Sequence, residues 1–135
     1  RETELVNSWL FAKHRSALQW RRVRLGVVPN NDMGKLLQVT LRCADAIFVD
    51  EGVFHIVEAK LRPDAGAIGQ LKIYQQEFKR TPEFQELWTR PLRLIFLCTK
   101  LDRPLAELAQ REGVQYEVFT IEEIKKTALR KFPNL

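Results

Sequence analysis

The sequence predicts a three-layer α/β domain in which helices flank a mixed central sheet. Amphipathic segments with helical spacing alternate along the 135 residues with short segments rich in β-branched and aromatic residues. Residues 92–99 (LRLIFLCT) form a nearly continuous apolar run, typical of a central strand covered on both faces. The predicted order is α, β, β-hairpin, α, β, α, β, α, which suits helices on both sides of one sheet. Residues 1–135 are expected to form a single domain. Because the chain begins with Arg1 rather than Met, this domain could be part of a longer protein.

The segments before residue 42 predict a helix, a strand, a loop and a short strand. Their ranges are 2–13, 18–28, 29–34 and 36–41. Leu5 and Trp9 share one apolar face of the helix, which is expected to be buried. On the first strand, Trp20, Arg22 and Arg24 alternate onto one side, so that side is partly basic.

The segments after residue 60 predict alternating helices and strands. A helix, a short helix or helical turn, a strand, a helix and a strand are expected at 67–79, 81–90, 92–99, 102–112 and 114–119. Asp64 is the expected N-cap of the first of these helices, and Gly113 ends the helix before the last strand. Thr120 and Glu123 form a capping box, which indicates that a final helix begins there.

Residues 42–60 (RCADAIFVDEGVFHIVEAK) predict a β-hairpin with a two-residue turn at Glu51-Gly52. Gly suits the second turn position because it tolerates a positive φ. In this register, residues whose numbers add up to 103 lie opposite each other, so Asp45 faces Glu58. Side chains alternate along a strand, and Lys60 therefore shares the face that carries both carboxylates.

The pair of carboxylates indicates a metal site. Two like charges opposite each other on a mostly apolar face repel and lower stability. A divalent cation removes this penalty, and two carboxylates with waters and a substrate phosphate suit Mg²⁺. Lys60 could neutralise a phosphorane transition state or help to deprotonate an attacking water. The alternative is a surface hairpin with incidental charges, which the apolar character of both faces disfavours.

The hairpin motif resembles that of the PD-(D/E)xK nuclease superfamily, in particular its restriction-endonuclease-like and Holliday junction resolvase-like branches. Asp45, followed after the hairpin by the triplet at residues 58–60 (EAK), matches its lone Asp and Glu-x-Lys. Ala44 stands where the motif often has Pro. Gln70 and Tyr74, four residues apart on a predicted helix, resemble the Gln-x-x-x-Tyr motif of several branches.

The resemblance implies a restriction-endonuclease-like core and a site that holds Mg²⁺ or Mn²⁺. The implied catalytic residues are Asp45, Glu58, Lys60, Gln70 and Tyr74. The implied metal ligands are Asp45, Glu58, the backbone carbonyl of Ala59, and Glu2 on the first helix. Glu2 has the alternative role of interacting with the helix dipole, and Gln70 and Tyr74 that of a polar pair that orients their helix.

Composition is compatible with a polyanionic partner. Twenty-two basic residues against seventeen acidic ones give a net charge of +5, which suits DNA but equally a solvated surface. No apolar run approaches the roughly 20 residues that span a bilayer, and no signal peptide is evident. Cys43 and Cys98 fit buried free thiols better than a disulfide framework, so we expect an intracellular protein.

The functional hypothesis is a metal-dependent DNA nuclease that hydrolyses phosphodiester bonds. Its small size and basic charge favour a structure-selective enzyme, such as a junction resolvase acting as a homodimer in repair or in a phage. The alternative is a DNA-binding or scaffold module that retains the nuclease fold without cutting. An enzyme for small phosphorylated substrates is disfavoured, because the sequence has no Gly-rich phosphate loop.

Overall fold

A five-stranded mixed sheet forms the centre of the molecule. The structure is a computed structural model that describes residues 1–26 and 43–133. In spatial order, the strands are β1 (Leu18–Arg24), β2 (Cys43–Asp50), β3 (Val53–Lys60), β4 (Leu92–Cys98) and β5 (Val114–Val118). The pairs β1–β2 and β2–β3 are antiparallel, whereas the pairs β3–β4 and β4–β5 are parallel. The loop and short strand predicted at 29–34 and 36–41 lie outside the described residues, as does the end of the first predicted strand.

Helices cover both faces of the sheet. They are α1 (Glu2–Lys13), α2 (Gly66–Phe78), α3 (Arg103–Arg111) and α4 (Ile121–Lys131), with a short 3₁₀ helix at Pro82–Leu87. On one face, Trp9 of α1 and Phe48 of β2 belong to one apolar cluster, and Ile124 of α4 packs against it. On the other face, α2 and α3 pack over a second cluster that includes Phe54 and Phe96. The predicted three-layer α/β fold with a mixed sheet is therefore confirmed.

The predicted hairpin register is also confirmed. Glu51 and Gly52 have φ values of 51° and 79°, as a two-residue turn that matches the twist of the strands requires. Strand pairing runs from Asp50 opposite Val53 back to Ala46 opposite Val57. Alternate residues of β2 and β3 enter the two apolar clusters, so both faces of the hairpin are buried.

Side chains cap the starts of α3 and α4. The side chain of Asp102 accepts the N–H of Leu105, and Thr120 completes the capping box. The predicted N-cap of α2 is wrong by one residue, because the helix begins at Gly66 and Ala65 occupies the cap. Asp64 instead accepts the Gly66 N–H at 2.8 Å, so its side chain stabilises the turn that precedes the helix. Within the described ranges, no helix is long and apolar enough to cross a membrane.

Candidate active site

The two hairpin carboxyls lie together at the end of the β2–β3 ladder. The regular pairing stops at Ala46 and Val57, and Asp45 and Glu58 are the next residues outward. There the Ala59 N–H donates to Asp45 Oδ2 at 2.7 Å. Asp45 and Glu58 also lie within hydrogen-bonding reach of each other, as the sequence register predicted. The start of one strand and the end of the next thus place both carboxyls at one point.

Burial makes ionisation of this pair unfavourable. It raises the pKa of Glu58 to about 8, and the adjacent Asp45 charge adds to the effect whereas Lys60 opposes it. Burial likewise raises the pKa of Asp45, although the hydrogen bond from Ala59 favours its charged form. A cation bound between the two carboxyls would stabilise their ionised forms, which burial and mutual repulsion disfavour.

The pair opens into a cleft of about 310 Å³. Its walls come from the hairpin, α1 and β1, and consist of Asp45, Glu58, Ala59, Lys60, Arg1, Glu2, Thr3 and Arg22. Lys60 is half-buried at the end of β3, on the face of the sheet that carries Glu58. The cleft thus contains acidic groups for a cation and basic groups for a phosphate.

The donor set fits a divalent cation that keeps several waters. The Oε1 atom of Glu58 is buried and receives no hydrogen bond from the described residues, so it is available to a ligand. Glu2 lines the same cleft, and its charge contributes to the raised pKa of Asp45. Within residues 1–26 and 43–133, however, no three His, Cys, Asp or Glu side chains come together as a metal-binding group. The structure therefore offers a two-carboxylate set, and the metal role of Glu2 stays a prediction.

Gln70 and Tyr74 lie behind the carboxyls and do not line the cleft. They are only 7% and 3% exposed on the inner face of α2. The Tyr74 hydroxyl donates to the Cys43 carbonyl at 2.8 Å, two residues before Asp45. It also lies within hydrogen-bonding reach of Glu58 and of Gln70, and burial raises its pKa further above the ordinary value. Tyr74 thus reaches Glu58 and the start of β2 from the protein interior, and Gln70 lies beside Tyr74.

Sequence reasoning did not place Arg22 at this site. Pairing of Arg21 with Ala46 and of Val23 with Ala44 sets Arg22 opposite Asp45. The basic side of the first strand was a usable signal. Its register against β2 was not, because residues 25–42 separate the two strands and no short turn fixes the alignment.

Comparison with solved structures finds the same fold in a repair endonuclease and in EndoMS. A repair endonuclease from Pyrococcus abyssi superposes with a TM-score of 0.60 at 21% identity, over 89% of this chain and 47% of that one. EndoMS in apo form gives 0.55 at 17% identity, over 89% and 46% of the two chains. An EndoMS complex with dsDNA gives 0.52 at 16% identity, over 86% and 43%. The chain thus spans less than half the length of each of these proteins. No protein-family model and no curated protein matches the sequence.

The chain has a restriction-endonuclease-like α/β fold, so the predicted fold class is confirmed. At these identities the comparison establishes the fold alone. The catalytic and metal-binding roles of the site residues remain predictions, and the geometry of the site is the basis for assigning them.

Proposed function

We propose that this protein is a Mg²⁺- or Mn²⁺-dependent nuclease that hydrolyses phosphodiester bonds of DNA. The observation that carries the proposal is the buried pair of Asp45 and Glu58, which shares an open cleft with Lys60. Two of the structural neighbours are a repair endonuclease and an EndoMS bound to dsDNA, which supports DNA as the substrate. The net charge of +5 suits the same partner.

Asp45 and Glu58 would hold the cation, with the Ala59 carbonyl and Glu2 as further ligands. When bound, the cation supplies positive charge that stabilises the phosphate as negative charge develops on it. Glu58 binds it only after losing its proton, so metal binding and deprotonation of Glu58 are coupled.

Lys60 acts on the water and on the phosphate. Its ammonium group shares the cleft with both carboxyls, so it can orient the attacking water and offset negative charge in the transition state. Gln70 and Tyr74 are positioning residues in this scheme, because Tyr74 reaches Glu58 and the Cys43 carbonyl from the interior and Gln70 lies within hydrogen-bonding reach of Tyr74. The Ala59 N–H fixes the orientation of the Asp45 carboxylate through its hydrogen bond.

Within this function we further propose selectivity for branched DNA, as in a junction resolvase acting as a symmetric homodimer in repair or in a phage. Two copies of one site could cut two strands symmetrically. The second candidate, a DNA-binding module that does not cut, is disfavoured by the joint presence of Asp45, Glu58 and Lys60 in one cleft.

Cleavage assays test both levels of the proposal. Four-way junction, flap, linear duplex and single-stranded DNA are incubated with the protein in Mg²⁺, Mn²⁺ or chelator. We expect metal-dependent cutting that Asp45→Ala abolishes and that Asp50→Ala, an exposed acid at the far end of the same strand, leaves unchanged. DNA binding without cutting in every metal would favour the non-catalytic module, and equal cutting of all four substrates would refute selectivity for branched DNA.

A further inference from the structure

The backbone of β1 is distorted at one residue, and that residue lies opposite Asp45. Arg22 has a φ of 50°, although the pairs on either side, Arg21 with Ala46 and Val23 with Ala44, keep the regular register. A left-handed conformation is unfavourable for an L-residue other than Gly, and it is rare within a strand. Among the described residues, the only other non-glycine with a positive φ is Glu51, where the hairpin turn requires it. Strained residues of this kind cluster at functional sites.

Arg22 also lines two cavities, and both contain Asp45. One is the 310 Å³ cleft of the carboxyl pair, and the other is a pocket of about 110 Å³ between α1 and β1. The distorted residue therefore presents its side chain where the proposed metal site meets solvent.

The guanidinium of Arg22 has no structural partner within the described part of the chain. Arg22 is exposed and makes no hydrogen bond or ion pair with another described residue. The adjacent Arg21, in contrast, donates to Asn7 and to Gln19, both at 2.9 Å. Arg21 thus connects β1 to α1, whereas Arg22 faces the cleft.

We infer that Arg22 binds a non-bridging oxygen of the phosphate under attack. This role rests on the proposed nuclease function and adds to it a residue that the nuclease motif does not include. A guanidinium presents planar paired donors that match phosphate geometry and stays charged at any working pH. Placed across from Asp45, it stabilises the extra negative charge that the phosphate acquires in the transition state.

Three substitutions test this role. Arg22→Asn removes the charge but tolerates the left-handed backbone, and Arg22→Gly removes the charge and also relieves the strain. Arg24→Asn is the matched control, because Arg24 is exposed on the same strand, carries the same charge and does not line the cleft. Single-turnover cleavage is measured in Mg²⁺, DNA affinity in Ca²⁺ over a range of salt concentrations, and the melting temperature in chelator.

We expect Arg22→Asn to lower the cleavage rate by about 100-fold, the usual scale for loss of one transition-state donor. DNA affinity in Ca²⁺ should fall far less, to the same extent as in Arg24→Asn, whose cleavage rate should stay within a few fold of wild type. Arg22→Gly should be equally slow but should melt about 3 °C higher than wild type, since relief of left-handed strain stabilises the fold.

Three results would overturn the inference. The first is a cleavage rate for Arg22→Asn within a few fold of wild type. The second is loss of DNA affinity with an unchanged single-turnover rate, which would show that Arg22 contacts a flanking phosphate and not the phosphate under attack. The third is a melting temperature for Arg22→Gly that does not rise, which would mean that the left-handed residue is not strained. If wild type itself cuts no DNA in any metal, the proposed function fails instead, and that outcome is distinct from the other three.

Discussion

Replacing Asp45 by Asn should stabilise the metal-free protein while abolishing its activity. The substitution removes one of two adjacent negative charges but keeps a side-chain oxygen that can accept the Ala59 N–H. Like charges at such a cross-strand position lower stability, so removal of one of them should favour folding.

The magnitude follows from the pKa of Glu58. Its rise from 4.5 to about 8 means that the folded protein retains, at pH 7, a proton that the unfolded chain has lost. That difference corresponds to about 3 kcal/mol as an upper limit, at 1.36 kcal/mol for each pH unit. Burial is the largest cause and persists in the variant, and water in the open cleft screens the charge of Asp45. We therefore expect the variant to gain about 1 kcal/mol, within the range of cross-strand charge effects.

The gain should depend on pH in a defined direction. Because the folded pKa of Glu58 lies above the unfolded value of 4.5, the folded state binds more protons between pH 4.5 and about 8. Wild-type stability in chelator should therefore be highest below this window and fall as the pH rises through it. The variant should lose less over the same window, so its advantage should be small at pH 5 and full at pH 8.

Denaturant unfolding in chelator at pH 5 and pH 8 measures this effect. Asp45→Ala is the informative control, because it removes the same charge but leaves the Ala59 N–H without its acceptor. An unsatisfied buried donor costs about 1–3 kcal/mol, so the Ala variant should be less stable than the Asn variant. A variant Asp45→Asn that is less stable than wild type at pH 8 would refute the claim that the carboxyl pair opposes folding.

Mg²⁺ at 100 times its Kd should stabilise wild type by about 2.7 kcal/mol, and the Asp45→Asn variant much less. Thermal melting with and without metal measures this difference, and equal responses of the two proteins would show that Asp45 is not a metal ligand. Replacing Asp45 or Glu58 by Ala should abolish cleavage while DNA binding persists, and calorimetry that showed unchanged Mn²⁺ affinity in both variants would contradict the ligand assignment. Lys60→Ala should slow turnover by roughly 100-fold or more with near-normal metal affinity, because Lys60 acts on water and phosphate; a large loss of Mn²⁺ affinity by calorimetry would count against this role. Tyr74→Phe should lower stability by about 1 kcal/mol through loss of the hydrogen bond to the Cys43 carbonyl, with only a modest effect on cleavage. Gln70→Ala should slow cleavage more than Tyr74→Phe but less than Lys60→Ala, and a fully active Gln70→Ala variant would exclude it from the site.

The sequence was sufficient for the features that depend on local rules. The turn at Glu51-Gly52 determined the register of β2 and β3, and that register alone brought Asp45 beside Glu58. The apolar run of β4 was predicted as a central strand because a strand buried on both faces has no polar alternation. Capping boxes and N-caps are equally local, and the shift from Asp64 to Ala65 at the start of α2 is within the usual uncertainty of a helix boundary.

Long-range placement was beyond the sequence. Nothing local indicates that Tyr74 approaches the Cys43 carbonyl, since 31 residues separate them and the contact depends on how α2 packs on the sheet. The sequence predicted Gln70 and Tyr74 as a pair on one helix, but it gave no indication that both are buried or that the Tyr74 hydroxyl lies within hydrogen-bonding reach of Glu58. The same holds for Arg22, whose neighbour across the sheet is fixed only by the pairing of β1 with β2.

These long-range contacts explain why the carboxyl pair is held in spite of its repulsion. Tyr74 connects α2 to the start of β2 and lies within hydrogen-bonding reach of Glu58, and the Ala59 N–H connects β3 to Asp45. Each carboxyl is therefore positioned by a group that belongs to the folded core. The apolar packing of the hairpin on both faces stabilises this arrangement whether or not the carboxyls are ionised. The pair can therefore remain adjacent with raised pKa values instead of moving apart. In the proposed nuclease such a site would be organised before the cation binds, and binding would need loss of the Glu58 proton rather than a rearrangement of the strands.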